Sequence, residues 1–140
     1  MNNIRVTFLD KIDNEMTGSK EALDLFINLD KDDLIYSNTG YFQSGISDES
    51  SIILHFSILN KESISFRYDE NIPNTREGKS WYTSNGKQNL KMIDAGDENY
   101  VPENSFLPLH LSLALITAFF NDPREKPDMV SWSDVNDFDD

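Results

Sequence analysis

Apolar and polar residues alternate along much of this chain at the period of two that a strand needs when one of its faces is buried. Ile4, Val6 and Phe8 share one face of a first predicted strand. The clearest run is Ile52, Leu54, Phe56 and Ile58, then Asn60-Lys61, then Ile64, Phe66 and Tyr68, which predicts a hairpin. Residues 34–37 and 41–46 are shorter strand candidates, split by Asn38-Thr39-Gly40, where Gly40 or Asn38 can take a positive φ. Residues 69–78 are polar and turn-rich, and Pro73 bars a strand there. After them, residues 80–84 and 88–93 flank Asn85-Gly86, a favoured two-residue turn, and predict a second hairpin.

Two segments carry helical signals instead. Ser19 can cap a helix running to about Leu29, with Ala22, Leu23, Phe26 and Ile27 on one stripe. Pro108 suits a first helical turn, and residues 109–121 are apolar nearly all round, which predicts a buried helix. Residues 129–132 form a last strand candidate, and 133–140 an acidic tail that frays. Antiparallel strands with two main helices, one largely buried, predict a single α+β domain over residues 1–140.

Charge sharpens the picture of partners. The chain has 25 acidic residues against 12 basic ones, a net −13. From residue 94 onward there are eleven acids against Arg124 and Lys126, so −9 of that total lies in the last third. Such a field repels nucleic acid and anionic lipid and attracts cationic surfaces, so neither nucleic acid nor membrane is an expected partner. The chain has no cysteine, which removes disulfides, thiolate metal sites and thiol nucleophiles. The amino terminus lacks the basic start and long apolar run of a signal peptide, and the apolar run from Phe106 to Phe120 falls short of the roughly 20 residues that span a bilayer. Cytoplasmic residence is the expectation.

Motifs for chemistry are sparse. Asp13-Asn14-Glu15-Met16-Thr17-Gly18 with Asp24 matches part of a calcium loop, but it closes on Asp rather than a bidentate Glu and follows a strand pattern; a polar turn before a helix explains it better. His55 lies mid-strand and His110 on the apolar helix, neither with a partner at metal spacing. No phosphate loop or nucleophile elbow is present. No metal, cofactor or catalytic residue is expected, and a hydrolase would need paired carboxylates in a cleft. Trp81-Tyr82, Tyr100 and Trp132 sit among acids, the mixture of anchor and steering charge found at protein interfaces. Trp132, between Val130 and Val135, reads as structural; Trp81, after Glu77-Gly78-Lys79-Ser80, reads as an exposed contact.

The C-terminal segment Lys126-Pro127-Asp128-Met129-Val130-Ser131-Trp132, preceded by Ile116-Thr117-Ala118-Phe119-Phe120-Asn121, resembles the ending of a family of polymorphic-toxin immunity proteins. Members of that family, which includes protectors against deaminase toxins, close with an apolar helix, a break and an Arg/Lys-Pro-x-x-x-x-Trp strand. With the preceding hairpin, the resemblance spans about residues 50–135; Lys126 stands where arginine is common, and residues 1–50 carry no matching motif. The resemblance implies an α+β protein of the producing cell's cytoplasm that binds and neutralises a cognate toxin domain, nuclease or deaminase, in a 1:1 heterodimer, without catalytic residues of its own. Acid-rich segments then nominate Asp69, Glu70, Glu77, Trp81, Tyr82, Asp94, Asp97, Glu98, Tyr100 and Glu103 for the partner surface, and Lys126, Pro127 and Trp132 as a structural motif. The competing reading is an acidic small-ligand or adaptor domain with a pocket between sheet and buried helix.

Overall fold

The computed structural model describes residues 4–45, 51–71, 79–86, 91–96 and 98–135. In chain order the elements are β1 (Ile4–Phe8), β2 (Ile12–Met16), α1 (Ser19–Ile27), β3 (Thr39–Gly45), β4 (Ser51–Asn60), β5 (Ser63–Asn71), β6 (Lys79–Ser84), β7 (Met92–Asp94), β8 (Tyr100–Pro102), β9 (Phe106–Leu107), α2 (Leu109–Asn121) and β10 (Ser131–Asp134). An antiparallel sheet runs in the order β10-β6-β5-β4-β3-β1-β2, with β9 added beside β5, while β7 and β8 form a separate ribbon. This is the α+β architecture that the alternation predicts.

Register explains why both helices lie on one face. Val6 pairs with Phe42, Phe42 with Leu54, Leu54 with Tyr68 and Tyr68 with Trp81, so these side chains stack across the sheet on the same side. Ile52, Leu54, Phe56 and Ile58 are buried with Ile64, Phe66 and Tyr68, under Ala22 and Phe26 of α1 and Leu115, Ile116 and Phe119 of α2. Each leucine, isoleucine and phenylalanine among them contributes about 1.5–3 kcal/mol by leaving water. Phe26 is the hub: its ring meets Phe8 at 5.4 Å and Phe56 at 5.1 Å, both edge-on. α2 buries one stripe only, since Ser112, Leu115, Ile116 and Phe119 face inward while His110 is exposed, contrary to the burial expected for it.

The Lys-Pro-x-x-x-x-Trp segment closes the helix side of the sheet. Trp132 Nε1 donates to the Pro127 carbonyl at 2.6 Å, and its ring lies 5.9 Å from that of Tyr68, which also meets Phe119. The Lys126 ammonium sits 3.8 Å from the centre of the Trp81 ring. Burial lowers its pKa, against the opposing charges of Glu70 and Asp134. Tyr68 is buried beneath, its hydroxyl donating to the Pro123 carbonyl at 2.7 Å; desolvation first, then the charges of Glu70, Glu125 and Asp122, push its pKa up.

Several local expectations give way to tertiary contacts. Residues 12–16, read as a polar stretch, add β2 to the sheet edge, held where Arg5 Nη1 donates to the Asn14 carbonyl at 2.9 Å and the Asn14 amide donates to Thr7 Oγ1 at 3.1 Å. Residues 34–37 are not a strand: Asp30 and Asp33 form a reciprocal cap on a 3-10 turn over Lys31–Leu34, and the chain bends after it. Of the hairpin expected around Asn85-Gly86, residues 87–90 lie outside the described residues, and residues 92–94 pair elsewhere. Gly86 does take φ 91°, but β10 pairs with one edge of β6 and β5 with the other, whereas β7 pairs with β8. The last strand lies at Ser131–Asp134 rather than 129–132, so Ser133 and Asp134 are ladder residues paired with Tyr82 and Trp81, not fraying tail. The remaining tail, 136–140, lies outside the described residues.

Gly40 sits inside β3, not at a turn, and its φ is not positive. What it supplies is close approach. A Cβ there would collide with the Thr7 carbonyl oxygen and the Phe56 ring. Gly40→Ala is expected to destabilise the fold by about 1–3 kcal/mol through overpacking, read as a lower urea midpoint at unchanged m.

Candidate binding groove on the open sheet face

The alternation that buries one face leaves the other uncovered by the helices. Across it Thr7 pairs with Tyr41, Tyr41 with His55, His55 with Arg67, Arg67 with Tyr82 and Tyr82 with Ser133, a polar row spanning six strands. A groove of about 1010 Å³ opens over this row. It lies opposite the position that the small-ligand reading requires, since the space between sheet and helices is filled by the core.

Its floor is an ionic cluster. Asp69 stands two residues from Arg67 and so on the same face; Arg67 Nε reaches its carboxylate oxygens at 3.1 and 3.3 Å, and Nη2 donates to Oδ2 at 3.1 Å. His55 Nε2 lies 2.9 Å from the same Oδ2. Desolvation by itself pushes the Asp69 carboxyl up, but hydrogen bonds from His55 and Ser80 and the charge of Arg67 outweigh it and hold its pKa below the ordinary value. Arg67 responds in kind: burial pulls its pKa down, Asp69 and Tyr82 more than restore it, and the net shift is upward.

The walls come from two loops that the sequence does not join. Residues 34–38 form one and the β7–β8 ribbon the other, and Asn38 ties them together. Its side-chain amide donates to the Ile58 carbonyl at 3.0 Å and to the Ala95 carbonyl at 2.6 Å. Gly96, at φ 134°, passes so near that a Cβ would lie 2.9 Å from Asn38 Nδ2. Asn99 Nδ2 adds a bond to Ser57 Oγ at 2.8 Å, anchoring the ribbon onto β4. At the lip stand large apolar side chains that a soluble surface seldom displays together: Ile35 is 66% exposed, Tyr36 85%, Leu59 46% and Tyr100 56%. Acids flank both walls, with Asp32 and Asp33 beside the first and Asp94 and Glu98 on the second.

The residues nominated for the partner surface do not share one face. Asp69 and Tyr82 lie on the groove side, whereas Glu70 and Trp81, their strand neighbours, project to the helix side. Trp81 is partly buried against the core under Lys126, so it is not the exposed contact expected from its polar flank. Asp69 is already saturated by Arg67 and His55, which makes it a framework residue. Asp94, Glu98 and Tyr100 do come together at the second wall, while Glu103 pairs loosely with Lys91 at 3.9 Å beyond β8. Glu77 and Asp97 lie outside the described residues. Ile35, Tyr36 and Leu59 belong to no sequence motif; their signal in the sequence is the apolar run Leu34-Ile35-Tyr36 that follows the acidic Asp30-Lys31-Asp32-Asp33. The calcium-like segment is mostly edge strand β2, and among the described residues no group of three His, Asp or Glu side chains could hold a metal ion. Among them, too, no helix is long and apolar enough to cross a membrane.

A scan against family models and searches of curated proteins and solved structures return no match for this chain.

Removing the Asp69 charge tests the floor. Asp69→Asn is expected to cost about 1–2 kcal/mol at neutral pH, because a half-exposed Arg67 loses its counter-ion. The folded carboxyl titrates below its unfolded counterpart, so its stabilisation is complete above the unfolded value and is lost as pH falls through the lower folded value. Urea titrations stepped from about pH 7 down to about pH 2 should therefore show a shallower acid loss in the variant than in the wild type.

Proposed function

We propose that this chain is a non-enzymatic immunity protein that binds and neutralises a cognate antibacterial toxin domain with a basic surface, one protein to one, in the cytoplasm of the cell that makes both. The observation that carries the reading is the lip of the groove: Ile35, Tyr36, Leu59 and Tyr100 are exposed around one concavity and flanked by Asp32, Asp33, Asp94 and Glu98, on a chain of net charge −13. Aromatic and aliphatic anchors ringed by charge are the makings of a protein-binding hot spot. A toxin that acts on nucleic acid presents a basic groove, and acids placed around the anchors steer it in, with association rates up to about 10⁸–10⁹ M⁻¹s⁻¹ at low salt. The Lys126-Pro127 and Trp132 ending supports the same family by resemblance. It acts as a brace, not as contact surface.

A second reading, an acidic domain that binds a small polar ligand, is favoured by the groove's volume and by its hydroxyl and amide lining. The two separate on one experiment. Mixed with the toxin domain encoded by the neighbouring reading frame, the chain should elute as a stoichiometric complex and abolish toxicity; separate elution would remove the immunity reading. Within the complex, Tyr36→Ala should weaken affinity by about 30-fold or more, chiefly through faster dissociation. The pair Asp94→Lys and Glu98→Lys should slow association several-fold at low salt and little at high salt, with the chain still folded although the Gly96 amide loses its Asp94 acceptor. Surface plasmon resonance at two ionic strengths reads both effects.

A further inference from the structure

One groove residue is equipped beyond what docking requires. Asp69 accepts from His55 Nε2 at 2.9 Å, so in the neutral imidazole that nitrogen carries the proton and Nδ1 is the lone-pair acceptor. Among the described residues Nδ1 has no hydrogen-bond partner, and His55 lines the groove with its ring about a third exposed. The Tyr41 ring flanks it at 5.8 Å, and Tyr100 lines the same groove. The nearby guanidinium of Arg67 is turned to Asp69 through Nε and Nη2, so the two formal charges cancel locally. What faces the ligand is therefore an open acceptor, the Tyr41 ring and the edge of an Arg67 already paired with Asp69, inside the field of a chain with net charge −13.

We infer that the groove floor receives a single guanidinium or ammonium side chain of the bound partner, with His55 Nδ1 as its acceptor and the Tyr41 ring as a cation-π face. His55 is the specificity-determining residue, and Asp69 is a positioning residue that fixes its tautomer. An anion is the poorer occupant: the Arg67 it would meet is already neutralised by Asp69 and engaged by Tyr82, and the field of the whole molecule repels it. The identity of the cation's carrier rests on the immunity reading; the site itself does not, because a free small cation suffices to occupy it.

The test uses the full chain, labelled with nitrogen-15, titrated with N-acetyl-arginine methylamide and in parallel with N-acetyl-glutamate methylamide. The arginine probe should give saturable shifts centred on residues 41, 55 and 67, with Kd on the order of millimolar, and the glutamate probe none. His55→Phe should abolish the saturable shifts while leaving the remaining spectrum intact. His55→Gln, which restores a carbonyl acceptor, should recover binding to within about tenfold of wild type. Asp69→Asn should weaken the probe with the spectrum otherwise folded; if that variant unfolds, the His55 pair still decides. Shifts from the glutamate probe instead, shifts that survive His55→Phe unchanged, or no saturable shift with either probe would each overturn the inference. None of these outcomes depends on a complex with a toxin, so failure here and failure of the immunity reading are separately visible.

Discussion

Everything in this molecule follows from the strict two-residue alternation along β4 and β5. Because Ile52, Leu54, Phe56 and Ile58 must face Ile64, Phe66 and Tyr68, the intervening Ile53, His55, Arg67 and Asp69 are committed to the other side. A slip of one residue would put His55, Arg67 and Asp69 beneath the helices and expose the phenylalanines. The core and the groove are two faces of one register, and neither can be altered without the other.

That register also accounts for what could be read from the sequence. The β4–β5 hairpin, β1 and both helices were legible, since each is set by a periodicity within its own segment. α2 spans Leu109–Asn121 as the apolar run and Pro108 predict. The strands that went unread are those fixed by neighbours distant in sequence. β2 holds to β1 by backbone and side-chain bonds despite a polar composition, and β6 pairs with β10 and β5 while residues 92–94 pair with β8. Gly40 was legible as a special position but not as a place where Phe56 and the Thr7 carbonyl exclude a side chain.

The groove was less legible than the fold. Acid density nominates the β7–β8 ribbon, where Asp94, Glu98 and Tyr100 do stand together, because charge is a property that sequence reports directly. It also nominates Asp69, whose charge is neutralised by an arginine two residues away, and it joins Glu70 and Trp81 to Asp69 and Tyr82, although a strand sends neighbours to opposite faces. The exposed pair Ile35-Tyr36 lies 60 positions or so from Tyr100 along the chain, and only folding brings them to one lip. His55 looked isolated because its carboxylate comes from the adjacent strand.

Asn38 makes the two walls one mechanical unit. From the first wall it reaches the second through the Ala95 carbonyl and the sheet through the Ile58 carbonyl, main-chain atoms that every residue possesses. The span between the walls is thus insulated from the identity of the side chains mounted on them. Tyr36 and Tyr100 can each be replaced while the jaw that carries them keeps its gauge, because neither side chain takes part in the grip.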